Sequence, residues 1–171
     1  MDSLQEQFGL IYDQYIDKIY RFVYLKVNSE EHAEDITSKV FTRGWEAYKE
    51  TRNPKSEIRN MGAFLYQIAR NAVVDHYRER DKHSTVSAEL VNESKDLGKN
   101  ALENAVLTAD INVLKTAINK LKKEHQDALI WRYLEDMPIG EIAVLLGKTE
   151  GSVRVMLHRG LKELKGLIQE N

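Results

Sequence analysis

Apolar residues recur at three- and four-residue spacing in two blocks of this chain, and a polar, serine-containing stretch separates the blocks. The first block runs from Leu4 to about Asp81, and the second resumes at Leu102. This spacing is that of one face of an α-helix, so each block predicts a bundle of helices with its own core. The stretch between them, His83 to Asn100, has no such period and predicts a linker.

Polar breaks divide the first block into three helices. The break at Asn28–Glu31 ends the first helix near residue 27 and starts the second, with Ser29 as its N-cap. A break at Thr51–Ser56 ends the second helix, and the third runs from about Asn60 to Asp81. We therefore predict an all-α chain with a three-helix N-terminal domain, a flexible linker and a four-helix C-terminal domain, at residues 1–82, 83–101 and 102–171.

The residue types present exclude several classes of function. There are no cysteines, which excludes disulfides, thiolate metal sites and cysteine nucleophiles. The five histidines are scattered without metal-site spacing, and no phosphate loop or nucleophile motif occurs. No long apolar run and no signal-peptide pattern is found. We expect no enzyme activity, no metal, no cofactor and no membrane insertion, and we predict a cytoplasmic location.

Positive charge is concentrated in two segments, although the formal net charge of the chain is −2. Residues 52–82 contain seven Lys or Arg against four acids, and residues 148–165 contain five against two. The first fifty residues have ten acids against six bases. This distribution predicts two separate nucleic-acid contacts and an acidic face for another partner, although solvated helix faces would give the same pattern.

The segment from Met137 to Lys165, MPIGEIAVLLGKTEGSVRVMLHRGLKELK, has the pattern of a helix-turn-helix. Pro138 can open the first helix because the first turn leaves its N–H position unpaired in any case. Gly147 can adopt the left-handed turn conformation, and Thr149 can cap the second helix. A helical hairpin without DNA contact would alternate in the same way. The register of Ala143, Gly147 and Thr149 favours DNA binding.

The second helix of this motif predicts a surface that reads the major groove. Arginine suits guanine edges, an aliphatic side chain can contact a thymine methyl group, and serine and lysine suit phosphates. The positions that face away from its apolar stripe are Ser152, Arg154, Val155, His158, Arg159 and Lys162.

Four stretches together resemble the extracytoplasmic-function (ECF) sigma factors of bacteria. Residues 137–165 resemble the promoter-reading end of that family, and LKKEHQDALIWRYL at 121–134 resembles its supporting helix. AEDITSKVFTRGW at 33–45 resembles the polymerase-docking helix, and FLYQIARNAVVDHYR at 64–78 resembles the promoter-melting helix. The resemblance implies a subunit of RNA polymerase that recognises the −10 and −35 promoter elements and promotes DNA opening.

By this resemblance, the second helix docks on the clamp hairpin of the polymerase β′ subunit, and the C-terminal domain meets the β flap. Glu34 and Asp35 offer carboxylates to arginines beside Phe41 as an apolar anchor. The two acids could instead act only on the dipole of their own helix. Many relatives carry Gln-Glu where this chain has Ser38 and Lys39, which changes the charge of the docking surface.

The resemblance also implies that Asn71 in the third helix reads an unpaired base of the −10 element. The pocket for that base is expected in the loop Lys55–Ala63, where Arg59 and Asn60 supply polar contacts with Tyr66 behind them. An exposed asparagine without a partner is the plain alternative for Asn71. Phosphate contacts are predicted for the basic residues of this helix, Arg70, Arg78, Arg80 and Lys82, although a solvated helix end would carry the same residues.

Two other kinds of protein fit parts of this pattern. A free-standing helix-turn-helix regulator would use the N-terminal helices for a ligand or for dimerisation. A sigma mimic that titrates another protein would keep the fold and lose the base-reading residues. The third helix, with Asn71 before a basic end, argues against the regulator. The presence of the base readers Asn71, Arg154 and Arg159 argues against the mimic. The resemblance leaves open control by an anti-sigma factor.

Overall fold

The computed structural model describes residues 3–51, 60–83 and 101–169. Every regular element in these ranges is helical, which confirms the all-α prediction. The chain divides into two compact units, Met1–Ala88 and Glu89–Asn171. The predicted linker, apart from its ends, lies outside the described residues. The α-helices are α1 Ser3–Tyr24, α2 Glu30–Glu50, α3 Met61–His83, α4 Ala101–Asn119, α5 Lys123–Leu129, α6 Ile139–Leu146 and α7 Glu150–Gln169.

The first helix of the N-terminal unit ends slightly earlier than its apolar pattern predicts. α1 stops at Tyr24, but Leu25–Val27 remain buried in a closing turn in which Leu25 N donates to the Arg21 carbonyl. Ser29 then caps α2, as predicted, by accepting a hydrogen bond from His32 N at 3.1 Å. The turn therefore keeps the apolar stripe in the core while it reverses the chain.

The helices of the N-terminal unit, α1, α2 and α3, share one apolar core. Phe22 of α1 and Tyr66 of α3 meet edge to face, with ring centroids 5.5 Å apart. Gly44 lets α2 approach α3 closely, because a methyl group on Gly44 would lie 2.7 Å from Leu65 Cδ2. The Tyr77 hydroxyl donates to the carbonyl of Lys26, which ties the end of α1 to α3.

The C-terminal unit is built around Trp131, which is fully buried. Trp131 lies in a π-helical turn, Ile130–Leu134, that continues α5. After the π-helical turn, the chain folds back, and Met137 N donates a hydrogen bond to the Trp131 carbonyl at 2.9 Å. Tyr133 and Leu134, at the end of the π-helical turn, are exposed although both are large and apolar.

Among the residues that the structure describes, no helix is both long and apolar enough to cross a membrane.

Candidate functional site

The turn between α6 and α7 has the geometry that the sequence predicts for a helix-turn-helix. Gly147 is left-handed, at φ 64° and ψ 37°, a conformation that glycine adopts at little cost. Thr149 Oγ1 accepts a hydrogen bond from Ser152 N at 3.1 Å and so caps α7. Pro138 lies one position before the first residue of α6, as its N-cap rather than within the first turn.

The outer face of α7 carries all six side chains that are predicted to contact DNA. The opposite face is buried through Val153, Met156, Leu157 and Gly160. Met156 therefore packs in the core of the C-terminal unit. The accessibility that DNA contact requires is present at each predicted position, namely Ser152, Arg154, Val155, His158, Arg159 and Lys162.

Arg154 is paired with an acid of its own helix. Its Nη2 atom lies 3.4 Å from Glu150 Oε2, one turn earlier, and the two side chains are 60% and 57% exposed. A pair of this kind adds only a few tenths of a kcal/mol, about 0.3–0.5, to helix stability. The pairing was not predicted, although the i, i+4 spacing of Glu150 and Arg154 indicates that the two side chains lie on one face of the helix.

Helix α3 presents Asn71 to solvent beside buried Ala72 and Val73. Arg78 is exposed, whereas Arg70 and Arg80 are only partly accessible. An exposed amide next to basic side chains matches the surface expected of a helix that meets an unpaired strand. The contacts themselves remain predictions.

Asn60 has a structural role at the start of α3. Its Oδ1 atom accepts a hydrogen bond from Ala63 N at 3.0 Å, which makes it the N-cap of the helix. Its amide NH₂ group is the part left for the polar contact that the sequence predicts. Arg59 and most of the predicted pocket loop lie outside the described residues.

Tyr66, which the sequence places behind the polar contacts of the predicted pocket, is buried in the core of the N-terminal unit. Its side chain is 2% exposed and packs against Phe22, so it cannot reach a base in this conformation. The sequence indicates this burial of Tyr66, because Tyr66, Ala69 and Val73 follow helical spacing on one face of α3 and all three are buried. Tyr66 thus packs α3, the helix that carries Asn71, against α1.

The three residues predicted to dock on polymerase lie on α2 with different exposures. Glu34 and Asp35 are exposed, and Asp35 pairs with Lys39 Nζ at 3.2 Å. Phe41 is 6% exposed and meets Tyr12 edge to face, with centroids 4.9 Å apart. Phe41 is therefore part of the floor of a groove between α1 and α2 rather than a projecting anchor.

This α1–α2 groove has a volume of about 460 Å³ and was not predicted. Tyr12, Ile16 and Tyr20 follow one another at four-residue spacing along α1, a second stripe beside the one that forms the core. Burial, followed by the negative charges of Glu30 and Glu34, raises the pKa of Tyr20. The groove thus combines aromatic walls with a carboxylate, and its lining is Tyr12, Ile16, Tyr20, Glu34, Thr37, Ser38, Phe41, Thr42 and Trp45.

Two protein-family models match this chain, one in each compact unit. Residues 11–83 match Sigma-70 region 2, and residues 111–164 match Sigma-70, region 4. Together the two matches span about three-quarters of the chain and contain α2, α3 and the helix-turn-helix. The chain belongs to the sigma-70 family. Its relatives place this sigma factor in the ECF group.

Individual relatives of this sigma factor are similar over nearly its whole length. It is 28% identical to the ECF sigma factor BldN of Streptomyces coelicolor, over 97% of this chain and 62% of BldN. It is 27% identical to SigW of Bacillus subtilis, over 97% of this chain and 91% of SigW. The solved complex of RpoE with the anti-sigma factor NepR from Bartonella quintana shares the fold, with a TM-score of 0.68, 18% identity and coverage of 96% and 98%.

Proposed function

We propose that this sigma factor binds core RNA polymerase and directs it to promoters, reading the −35 element with α7 and the −10 element with α3. The observation that carries the proposal is the presence of two different surfaces in one chain. The C-terminal unit has a helix-turn-helix with an exposed outer face. The N-terminal unit has an acidic aromatic groove and an exposed amide on α3. A free-standing regulator needs only the first of these.

Reading of the −35 element is assigned to the outer face of α7. Arg154 and Arg159 are exposed and long enough to reach base edges in the major groove of an intact duplex. Ser152, His158 and Lys162 are suited to phosphates, and Val155 to a thymine methyl group. Two arginines and a short basic segment give a small interface, so the free chain binds promoter DNA weakly.

Reading and opening of the −10 element are assigned to α3. Asn71 takes the edge of an unpaired base, while Arg70, Arg78 and Arg80 contact phosphates. Asn60 contributes its amide NH₂ group, and Arg59 belongs to the pocket loop. Flipping a base out of the duplex costs a few kcal/mol. Contacts between the flipped base and the protein must offset this cost.

Polymerase docking is assigned to the α1–α2 groove and the acids beside it. Phe41 and the aromatic walls accept apolar side chains of the β′ clamp hairpin, and Glu34 meets its arginines. The C-terminal unit meets the β flap. The chain acts in the cytoplasm, in transcription initiation rather than in catalysis. An anti-sigma factor, the class of partner solved in complex with RpoE, is proposed to control it.

Transcription in vitro from genomic fragments tests this function directly. Core polymerase alone is compared with core polymerase plus the purified chain. We expect discrete new start sites only in the presence of both. Specific nanomolar binding of the chain alone to a duplex, without any effect on polymerase, would instead identify a conventional regulator.

A further inference from the structure

We propose that Glu150 is a positioning residue that orients Arg154 for base reading and thereby sets the discrimination of the −35 contact. The inference rests on the proposed function, because it assumes that Arg154 reads a base. It adds an acidic residue to a surface whose proposed DNA contacts include no acid.

The carboxylate of Glu150 contacts both helices of the helix-turn-helix. Its Oε2 atom lies 3.4 Å from Arg154 Nη2 on α7. Its Oε1 atom lies against Gly140 in the first turn of α6, where an added methyl group would be 3.0 Å away. The absence of a side chain at Gly140 leaves the space that the carboxylate occupies. The N-terminal end of α6 also carries the positive end of its dipole, which favours a carboxylate there.

Arg154 needs such a guide because it is long and largely exposed. A free arginine samples many rotamers, and a bidentate base contact requires one of them. The exposed ion pair contributes little to stability, so holding the guanidinium in place is its more useful effect. The negative charge of Glu150 also repels the phosphates of the DNA backbone, which lowers binding to unrelated DNA. Glu150 therefore favours discrimination over affinity.

Selection from a promoter library tests this role in the complete holoenzyme. Promoters randomised at the −35 element are transcribed with core polymerase and each variant, and the base preferences are read by sequencing the transcribed templates. Arg154→Ala identifies the base pair that Arg154 reads. We expect Glu150→Gln to lower the preference at that same base pair about fivefold, a part of what a full bidentate contact supplies. We also expect it to raise binding to unrelated duplex about twofold.

Two further variants separate the position of the carboxylate from its charge. Glu150→Asp keeps the charge and withdraws the carboxylate, so it should lose the preference without gaining affinity for unrelated DNA. Gly140→Ala displaces the carboxylate and leaves every charge in place, so a smaller loss at the same base pair is expected. Glu163→Gln, which removes another exposed acid of α7, is the matched control and should change nothing.

The outcomes distinguish this inference from the proposed function. If Arg154→Ala leaves every base preference intact, the assignment of Arg154 fails and the inference fails with it. If Arg154→Ala relaxes one base pair while Glu150→Gln leaves that base pair unchanged, only the inference is overturned. It is also overturned if Glu150→Asp keeps full discrimination, because the charge alone would then explain the effect.

Discussion

Asn71 is an exposed amide on α3, and the two residues that follow it, Ala72 and Val73, are buried. Because α3 belongs to the unit that is proposed to open the promoter, we propose that Asn71 contacts DNA only after a base has left the duplex. Its role is therefore separable from that of the arginines on α7, which meet intact base pairs.

Asn71→Ala should impair promoter opening and spare binding to the closed duplex. Permanganate footprinting and abortive initiation measure opening, on matched templates and on templates mismatched over the melted region. Mismatched DNA should restore the part of the defect that comes from flipping the base, but not discrimination at that base. Gln67→Ala, another exposed amide one turn earlier on α3, is the control. Normal opening and unchanged base preference would remove Asn71 from the site.

His76 links the stability of the N-terminal unit to pH. Its ring lies 4.6 Å from that of His32, centroid to centroid, and its Nε2 atom is buried without a hydrogen-bond partner among the described residues. Burial, then the nearby His32 and Arg80, lowers the pKa of His76, against a smaller opposing effect of Glu79. The folded state therefore favours the neutral ring, and the unfolded chain takes up the proton first as pH falls.

The free energy of unfolding of this unit should decrease as pH falls below about 6.5, the ordinary pKa of histidine. Above that pH both states hold a neutral ring and the dependence disappears. Denaturant titrations at several pH values measure it, and His76→Gln should flatten the curve. His158→Gln, on the exposed face of α7, is the control. An unchanged slope in His76→Gln would assign the pH dependence to other groups.

At the scale of the element, the two acids of α2 should contribute unequally to polymerase docking. Asp35 is already paired with Lys39, whereas Glu34 lies on the wall of the α1–α2 groove. We expect Glu34→Lys to weaken core binding about tenfold or more and Asp35→Lys only about two- to threefold, with the double variant lowest. Competition with the wild-type chain for core polymerase measures this.

The control for this charge reversal is Glu46→Lys, an exposed acid of α2 outside the groove lining. It should bind core polymerase normally. Equal losses for Glu34→Lys and Asp35→Lys would mean that the net charge of the helix matters rather than the groove.

The approach of α2 to α3 is predicted to depend on Gly44. Gly44→Ala would press a methyl group against the fully buried Leu65, and overpacking of this kind costs about 1–3 kcal/mol. The gain in helix propensity, about 0.8–1 kcal/mol, offsets only part of that. Gly9→Ala, where nothing lies within 4 Å, should instead stabilise the unit. Chemical denaturation of both variants provides the comparison, and stabilisation by Gly44→Ala would disprove close packing there.

Local signals predict the helices and the turn because caps and a left-handed glycine depend on residues close in sequence. Ser29, Gly147 and Thr149 are examples, and each has the predicted geometry. The α1–α2 groove could not be predicted in this way, because residues of two different helices line it and no single stretch of sequence encodes it.

On the scale of the whole molecule, the two compact units each contain one of the two tryptophans. Trp45 lies in the N-terminal unit and Trp131 at the centre of the C-terminal one. Fluorotryptophan labelling with fluorine NMR can therefore follow each unit in the intact chain without any substitution.

We expect the two fluorine signals to report separate unfolding transitions, because each unit has its own core. Fragments covering residues 1–82 and 102–171 should fold with the midpoints observed in the intact chain. Superimposable transitions in the chain, together with unfolded fragments, would contradict the separation.

The shared core of α1, α2 and α3 has a mechanical consequence. The groove proposed to hold polymerase and the amide proposed to hold a base belong to one closely packed body, and such interiors transmit displacement rather than absorb it. The separated DNA strands would exert a force on α3. This force would pass through the contact of Leu65 with Gly44 to the α1–α2 groove, and from there to the much larger polymerase. A substitution that loosens the packing of Gly44 against Leu65 would make the open promoter complex less stable, even if every DNA contact and every polymerase contact were intact.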